Sequence, residues 1–158
     1  MPDSNPGAAW NSHILDHWRT RAAWVLDRQI EIAETPAPTG CESARGTLML
    51  REFESAGCTT LRRDEAGNVI ARIGPSHFLQ ATSSLVCLAH LDTVFLHNAP
   101  LHVVRTGTQL HCPGIGDNSR GLAAMLALAH MLHTPDVSHR LQRPIELVAT
   151  VGEEGEGN

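Results

Sequence analysis

The sequence predicts a layered α/β domain, and three observations carry that expectation. Stretches with apolar residues at helical spacing alternate with short runs rich in Val, Ile, Leu and Thr, the pattern of helices layered on a sheet. One continuous apolar run, Leu85-Val86-Cys87-Leu88-Ala89, reads as a strand buried on both faces. The chain has 158 residues, of which 42% are apolar, so it is long enough to bury a core without relying on disulfides.

The elements follow in order. A first helix is expected over residues 8–33, where Trp10, Ile14, Trp18, Trp24, Val25 and Ile32 recur at helical spacing, the tryptophans as packing groups. Pro36 and Pro38 stop it. A second helix is expected to start at Thr39, because Thr39-Gly40-Cys41-Glu42 fits a capping box: the hydroxyl takes the N3 amide and Glu42 reaches back to the Thr39 amide. It would bury Leu48, Leu50 and Phe53 and end at Gly57. Strands over 59–63 and 68–73, joined by Asp64-Glu65-Ala66-Gly67 and closed by Gly74-Pro75, make a hairpin.

The apolar strand over 84–89 comes next. Two weaker strands over 101–105 and 109–112 turn at Gly107. A helix rich in Ala, Leu and Met runs over 118–133 and stops before Pro135. The last strand covers 145–151, and an acidic, glycine-rich stretch follows it with no helix to cover that strand's far side. An incomplete domain is the expectation.

Charge and cysteines narrow the class. Twelve Lys and Arg against seventeen Asp and Glu leave a net charge of −5, unlike the basic surplus of a nucleic-acid binder. No apolar stretch approaches the roughly 20 residues that span a bilayer, and Met1-Pro2-Asp3-Ser4-Asn5-Pro6-Gly7 has none of the marks of a signal peptide. A reduced, cytoplasmic protein with neither nucleic-acid nor membrane partner is expected. The four cysteines form no CxxC pair, which argues against a zinc ribbon or a thioredoxin-like site. No GxSxG elbow supports a nucleophilic serine hydrolase.

Three places carry chemistry, each at a strand end or a helix start, where α/β sheets bind ligands. In His90-Leu91-Asp92-Thr93-Val94, residues i and i+2 share a side, so the Asp92 carboxylate can hold the second ring nitrogen of a metal-bound His90. In Gly114-Ile115-Gly116-Asp117-Asn118-Ser119-Arg120-Gly121, Asp117 either caps the following helix or bridges two cations. The glycines there match a dinucleotide loop only in part, since Ser119 replaces the third. In Glu153-Glu154, flanked by Gly152 and Gly155, one carboxylate can ligate a metal while the other acts as a base, or both form a solvated turn. Convergence of the three places would crowd four carboxylates around one imidazole. Such crowding calls for cations, with a pair of divalent ions, zinc above all, the best match and cobalt or manganese the next. Five of the other histidines, His97, His102, His111, His130 and His133, read as ordinary surface or packing residues.

Together the three motifs resemble the dinuclear zinc exopeptidases and deacylases, the family of peptidase T, carboxypeptidase G and acetylornithine deacetylase. Pro36-Ala37-Pro38-Thr39-Gly40-Cys41-Glu42 and Asp64-Glu65-Ala66-Gly67-Asn68-Val69-Ile70 are similar to its N-terminal region. The resemblance implies a three-layer αβα zinc-exopeptidase-like catalytic domain, incomplete at its C-terminus. Residues 1–158 would be its N-terminal part, without the lid and dimerisation domain, and inactive alone. It further implies that His90 binds one zinc, Asp117 bridges two, and Glu154 binds the other. Glu153 would be the general base and Asp92 would hold the His90 ring. The implied substrate is a short peptide cut by an exopeptidase, with an N-acyl amino acid cut by a deacylase as the alternative, and the full-length relatives include homodimers. Two other classes stay open: a non-catalytic binding or assembly module, and a nucleotide-binding domain resting on the glycine loop alone.

Overall fold

The computed structural model describes residues 6–74 and 83–155, with side chains from Ile14 onward. Helix α1 runs Pro6–Glu34 and α2 Ser43–Ser55. The hairpin β1 (Thr60–Arg63) and β2 (Val69–Ile73) follows, then β3 (Leu85–His90). A small second hairpin, β4 (Val104–Thr106) and β5 (Gln109–His111), leads to α3 (Ser119–Leu132), the single turn α4 (Pro135–Ser138) and β6 (Ile145–Thr150). Gly107, at the second hairpin's turn, has φ +61°.

The four-stranded sheet has the order β1-β2-β6-β3. β2 pairs antiparallel with both β1 and β6, while β3 and β6 are parallel, with His90 beside Thr150 at their C-terminal ends. Parallel neighbours need a crossover, and α3 provides it. Because strand side chains alternate, the register sorts the sheet into two faces. Val69, Ala149 and Ala89 lie side by side on one face, next to the row of Ala71, Leu147 and Cys87. Against this face pack Leu48, Met49 and Phe53 of α2 and Leu122, Met125, Leu126 and Ala129 of α3, which form one core. α1 lies on α3, with Trp24 edge-on to His130 at 4.8 Å between ring centres.

The other face carries Ile70, Val148 and Leu88, then Arg72, Glu146 and Val86, with an ion pair between Arg72 and Glu146. Among the described residues no helix covers it. The layered α/β class therefore holds, with helices on one face of the sheet among the described residues. The expectation for β3 needs correcting. Only Ala89 and His90 are buried, whereas Leu85 is 53%, Val86 48% and Leu88 68% exposed. An unbroken apolar run reports burial only where both faces are covered; β3 lies at one edge of this sheet, and Val86 and Leu88 point to the face that no described helix covers.

The start of α2 also differs from expectation. The helix begins at Ser43 with Glu42 at its N-cap and no side-chain cap. Thr39 and Glu42 do not close a capping box, because both side chains are drawn to the strand ends described below. The predicted stop does form: Gly57 has φ +93°, its amide donates to Glu54 O, and the Cys58 amide donates to Phe53 O at 3.0 Å. Cys58 is buried there, which pushes its thiol pKa up to about 11. The β1–β2 turn is held by Asp64, whose carboxylate accepts the Gly67 and Asn68 amides and the Asn68 side-chain amide. Pro75, expected to close the hairpin, lies outside the described residues. None of the described helices is long and apolar enough to cross a membrane.

Candidate metal centre

The candidate site sits where β3 and β6 end side by side. The ladder runs one step past the strands, with the Leu91 amide donating to Thr150 O at 2.7 Å. Beyond it the two chains separate into the segments that carry His90–Asp92 and Glu153–Glu154. Asp117 arrives from the turn before α3, where the Asp117–Asn118 peptide bond is cis and Asn118, not Asp117, occupies the N-cap. The Ser119 hydroxyl donates to Gly114 O at 2.7 Å and closes this turn.

His90 is 8% exposed and both ring nitrogens are engaged. Nδ1 lies 3.0 Å from the main-chain oxygen of Asp92, and Nε2 lies 2.8 Å from Asp117 Oδ1. A carbonyl oxygen only accepts, so Nδ1 carries the proton and the neutral ring turns its Nε2 lone pair toward Asp117. Lone pairs on nitrogen and carboxylate at that distance repel unless a positive charge lies between them. Burial opposes a charged ring, but the hydrogen bond to Asp117, the Asp92 carbonyl and the negative charges of Glu153 and Asp117 outweigh it, so the His90 pKa is raised.

Atoms from His90, Asp117 and Glu154 lie within 4.8 Å of one another, the one set among the described residues with the makings of a metal site. Two ligands on a common tetrahedral zinc stand roughly 3.4 Å apart, given bonds of about 2.0–2.2 Å. The set fits a shared ion after small adjustments: the His90–Asp117 pair opens slightly from 2.8 Å, and Asp117, 79% exposed, has the freedom to make that movement. An imidazole with carboxylates is a donor set that suits zinc or manganese. Glu153 stands apart: its Oε2 is 3.9 Å from His90 Nε2 and its side chain is 54% exposed.

Asp92 is fully buried, and its carboxylate does more than face the ring. Oδ1 lies 3.6 Å from His90 Nδ1, farther than the main-chain oxygen that makes the bond, so the expected carboxylate–imidazole contact runs through the backbone instead. The carboxylate accepts the Glu153 amide at 3.1 Å, the Glu154 amide at 2.9 Å and the Thr39 hydroxyl at 3.0 Å. Burial alone would raise its pKa; the amide and hydroxyl donors reverse that, and it is lowered.

Supporting residues were not foreseen in these roles. Glu42 Oε1 accepts the amides of Gly40 and Gly152 at 2.9 and 3.1 Å. Asn68 Oδ1 accepts the Val151 amide at 2.9 Å. Arg45 is wholly buried and donates to Thr35 O and Leu91 O, tying the end of α1 to the His90 segment. Burial lowers its pKa to about 10, with Asp92 acting in the opposite sense. In the sequence, Glu42 and Asn68 fall in the two segments noted for resemblance, with Glu42 read only as part of a capping box, and nothing singles out Arg45.

The chain matches solved structures over most of its own length: a tripeptidase from Staphylococcus aureus (24% identity, TM-score 0.62, 82% of this chain and 36% of that one), human carnosine dipeptidase 1 (12% identity, TM-score 0.71, 93% and 35%), and a dinuclear metal-binding peptidase of the M20 family from Bacillus subtilis (14% identity, TM-score 0.60, 86% and 37%). These likenesses show the fold, and the chain spans about a third of the length of each. No curated protein matches the sequence. The sequence model of Peptidase family M28 matches residues 68–156, a stretch that holds all three motifs and more than half of the chain, and the chain belongs to that family.

Proposed function

We propose that this chain contributes the metal-binding half of a site for hydrolysing amide bonds in short peptides, an exopeptidase activity dependent on a pair of zinc ions. The observation that carries the reading is the meeting of His90, Asp117 and Glu154, with the tautomer of His90 set so that Nε2 presents its lone pair beside Asp117. His90 and Glu154 would each hold one ion and Asp117 would bridge both. Bound there, the metal would supply Lewis-acid polarisation of the scissile carbonyl.

The rest falls to side chains. Glu153, close to the triad yet exposed, is placed to accept a proton from the attacking water and return it to the departing amine. Asp92 fixes both the His90 ring, through its carbonyl, and the two glutamates, through its carboxylate. The peptidases among the structural neighbours favour a peptide over an N-acyl amino acid as substrate.

Zinc titration of the 158-residue chain tests the roles. Glu154→Gln and His90→Ala should weaken zinc binding strongly, while Glu153→Gln should leave it close to wild type. Equal losses for Glu153→Gln and Glu154→Gln would mean that the pair has been assigned wrongly, and a wild-type chain that binds no zinc would refute the reading. In a full-length version of the protein, release of free amino acids from di- and tripeptides identifies the exopeptidase, and release of a carboxylic acid from N-acyl amino acids identifies the deacylase.

A further inference from the structure

Four consecutive amides at the end of β6 are held by side chains from three distant parts of the sequence. The Val151 amide donates to Asn68 Oδ1, the Gly152 amide to Glu42 Oε1, and the Glu153 and Glu154 amides to the two carboxylate oxygens of Asp92. We propose that Glu42 and Asn68 are positioning residues that aim the Glu153–Glu154 pair by clamping the backbone just ahead of it. The inference builds on the role proposed for that pair in metal binding, and it gives the two resembling N-terminal segments a physical task.

Adjacent residues in a glycine-flanked loop have no intrinsic reason to send one carboxylate to the triad and leave the other free. Gly152 has φ +72°, so the chain turns sharply at the point where the strand ladder can no longer direct it. Glu42, 7% exposed, meets the backbone at that turn and uses the same oxygen to bind Gly40, which anchors its own position. Asn68 is fixed in orientation as well as place: Asp64 Oδ2 takes its side-chain N–H at 2.9 Å, which leaves Oδ1 for Val151. With Asp92 holding the next two amides, the loop has no free backbone donor between residues 151 and 154 and one defined path. Each acceptor is buried or half-buried, so water competes poorly for these amides.

The test uses the 158-residue chain. Amide exchange at residues 151–154 is followed by NMR without metal, and zinc affinity is measured by competition with a chromophoric chelator. Glu42→Ala and Asn68→Ala should accelerate exchange at all four amides and weaken zinc binding by about 10–100-fold, the usual cost of losing a group that orients metal ligands. Glu42→Gln keeps an acceptor oxygen and should restore both readouts; Glu42→Met, which preserves bulk, replaces the alanine variant if that fails to fold. Folded variants with unchanged zinc affinity, or faster exchange within residues 151–154 confined to the one amide that each residue holds there, would overturn the proposal. A wild-type chain that ignores zinc would sink the metal role of the pair, whereas the exchange pattern decides the clamp independently.

Discussion

His90 Nε2 and Asp117 Oδ1 lie 2.8 Å apart, joining the end of a strand to the approach of a helix 27 positions later. The bond between His90 Nδ1 and the Asp92 carbonyl fixes which nitrogen faces the carboxylate, so this pair needs a cation or a proton between its atoms. Asp117→Asn keeps the shape but removes the charge and one acceptor. It should weaken zinc binding at least tenfold and leave the metal-free unfolding midpoint nearly unchanged, because residue 117 is exposed. Isothermal titration and a urea melt measure the two effects.

The uncovered outer strand makes its own prediction. Phe53 is fully buried in the core, while Leu88 on the far sheet face is 68% exposed. Phe53→Ala should cost about 3–5 kcal/mol of unfolding free energy, and Leu88→Ala should stay within about 0.5 kcal/mol. A large loss for Leu88→Ala in urea melts would mean that something covers that face in solution.

Acid should loosen the β1–β2 turn. The Asn68 side-chain hydrogen bond, assisted by the backbone amides after it and opposed by partial burial, lowers the Asp64 pKa. A carboxyl with a depressed folded-state pKa contributes stability above its unfolded value of about 3.9, and that contribution disappears as pH falls through the folded-state value. Asp64→Asn should therefore flatten the dependence of unfolding free energy on pH below about 4. Denaturant melts from pH 6 down to pH 2 compare the two slopes.

Most element positions were legible because they rest on local physics. Helical spacing and prolines bounded α1, the αL glycine at position 57 ended α2, and Asp64 with Gly67 turned the hairpin. The segment from residue 39 to 42 was misread for a related reason. Thr39 and Glu42 satisfy a local rule for capping, but Asp92 and the Gly152 amide, both far along the chain, offer these side chains partners instead. Sequence distance hides such competition.

Residue types and their order, read together with the family resemblance, were enough to nominate His90, Asp92, Asp117, Glu153 and Glu154, although each place alone also fitted a helix cap, a polar strand end or a solvated turn. Tertiary structure alone decided how they are held. The parallel pairing of β3 with β6 brings residues 90 and 150 side by side, and only then can an Asp92 carboxylate reach two amides of a later loop. It likewise decided that Leu88 faces outward, because burial of a strand depends on what lies beside it, and no run of apolar letters contains that information.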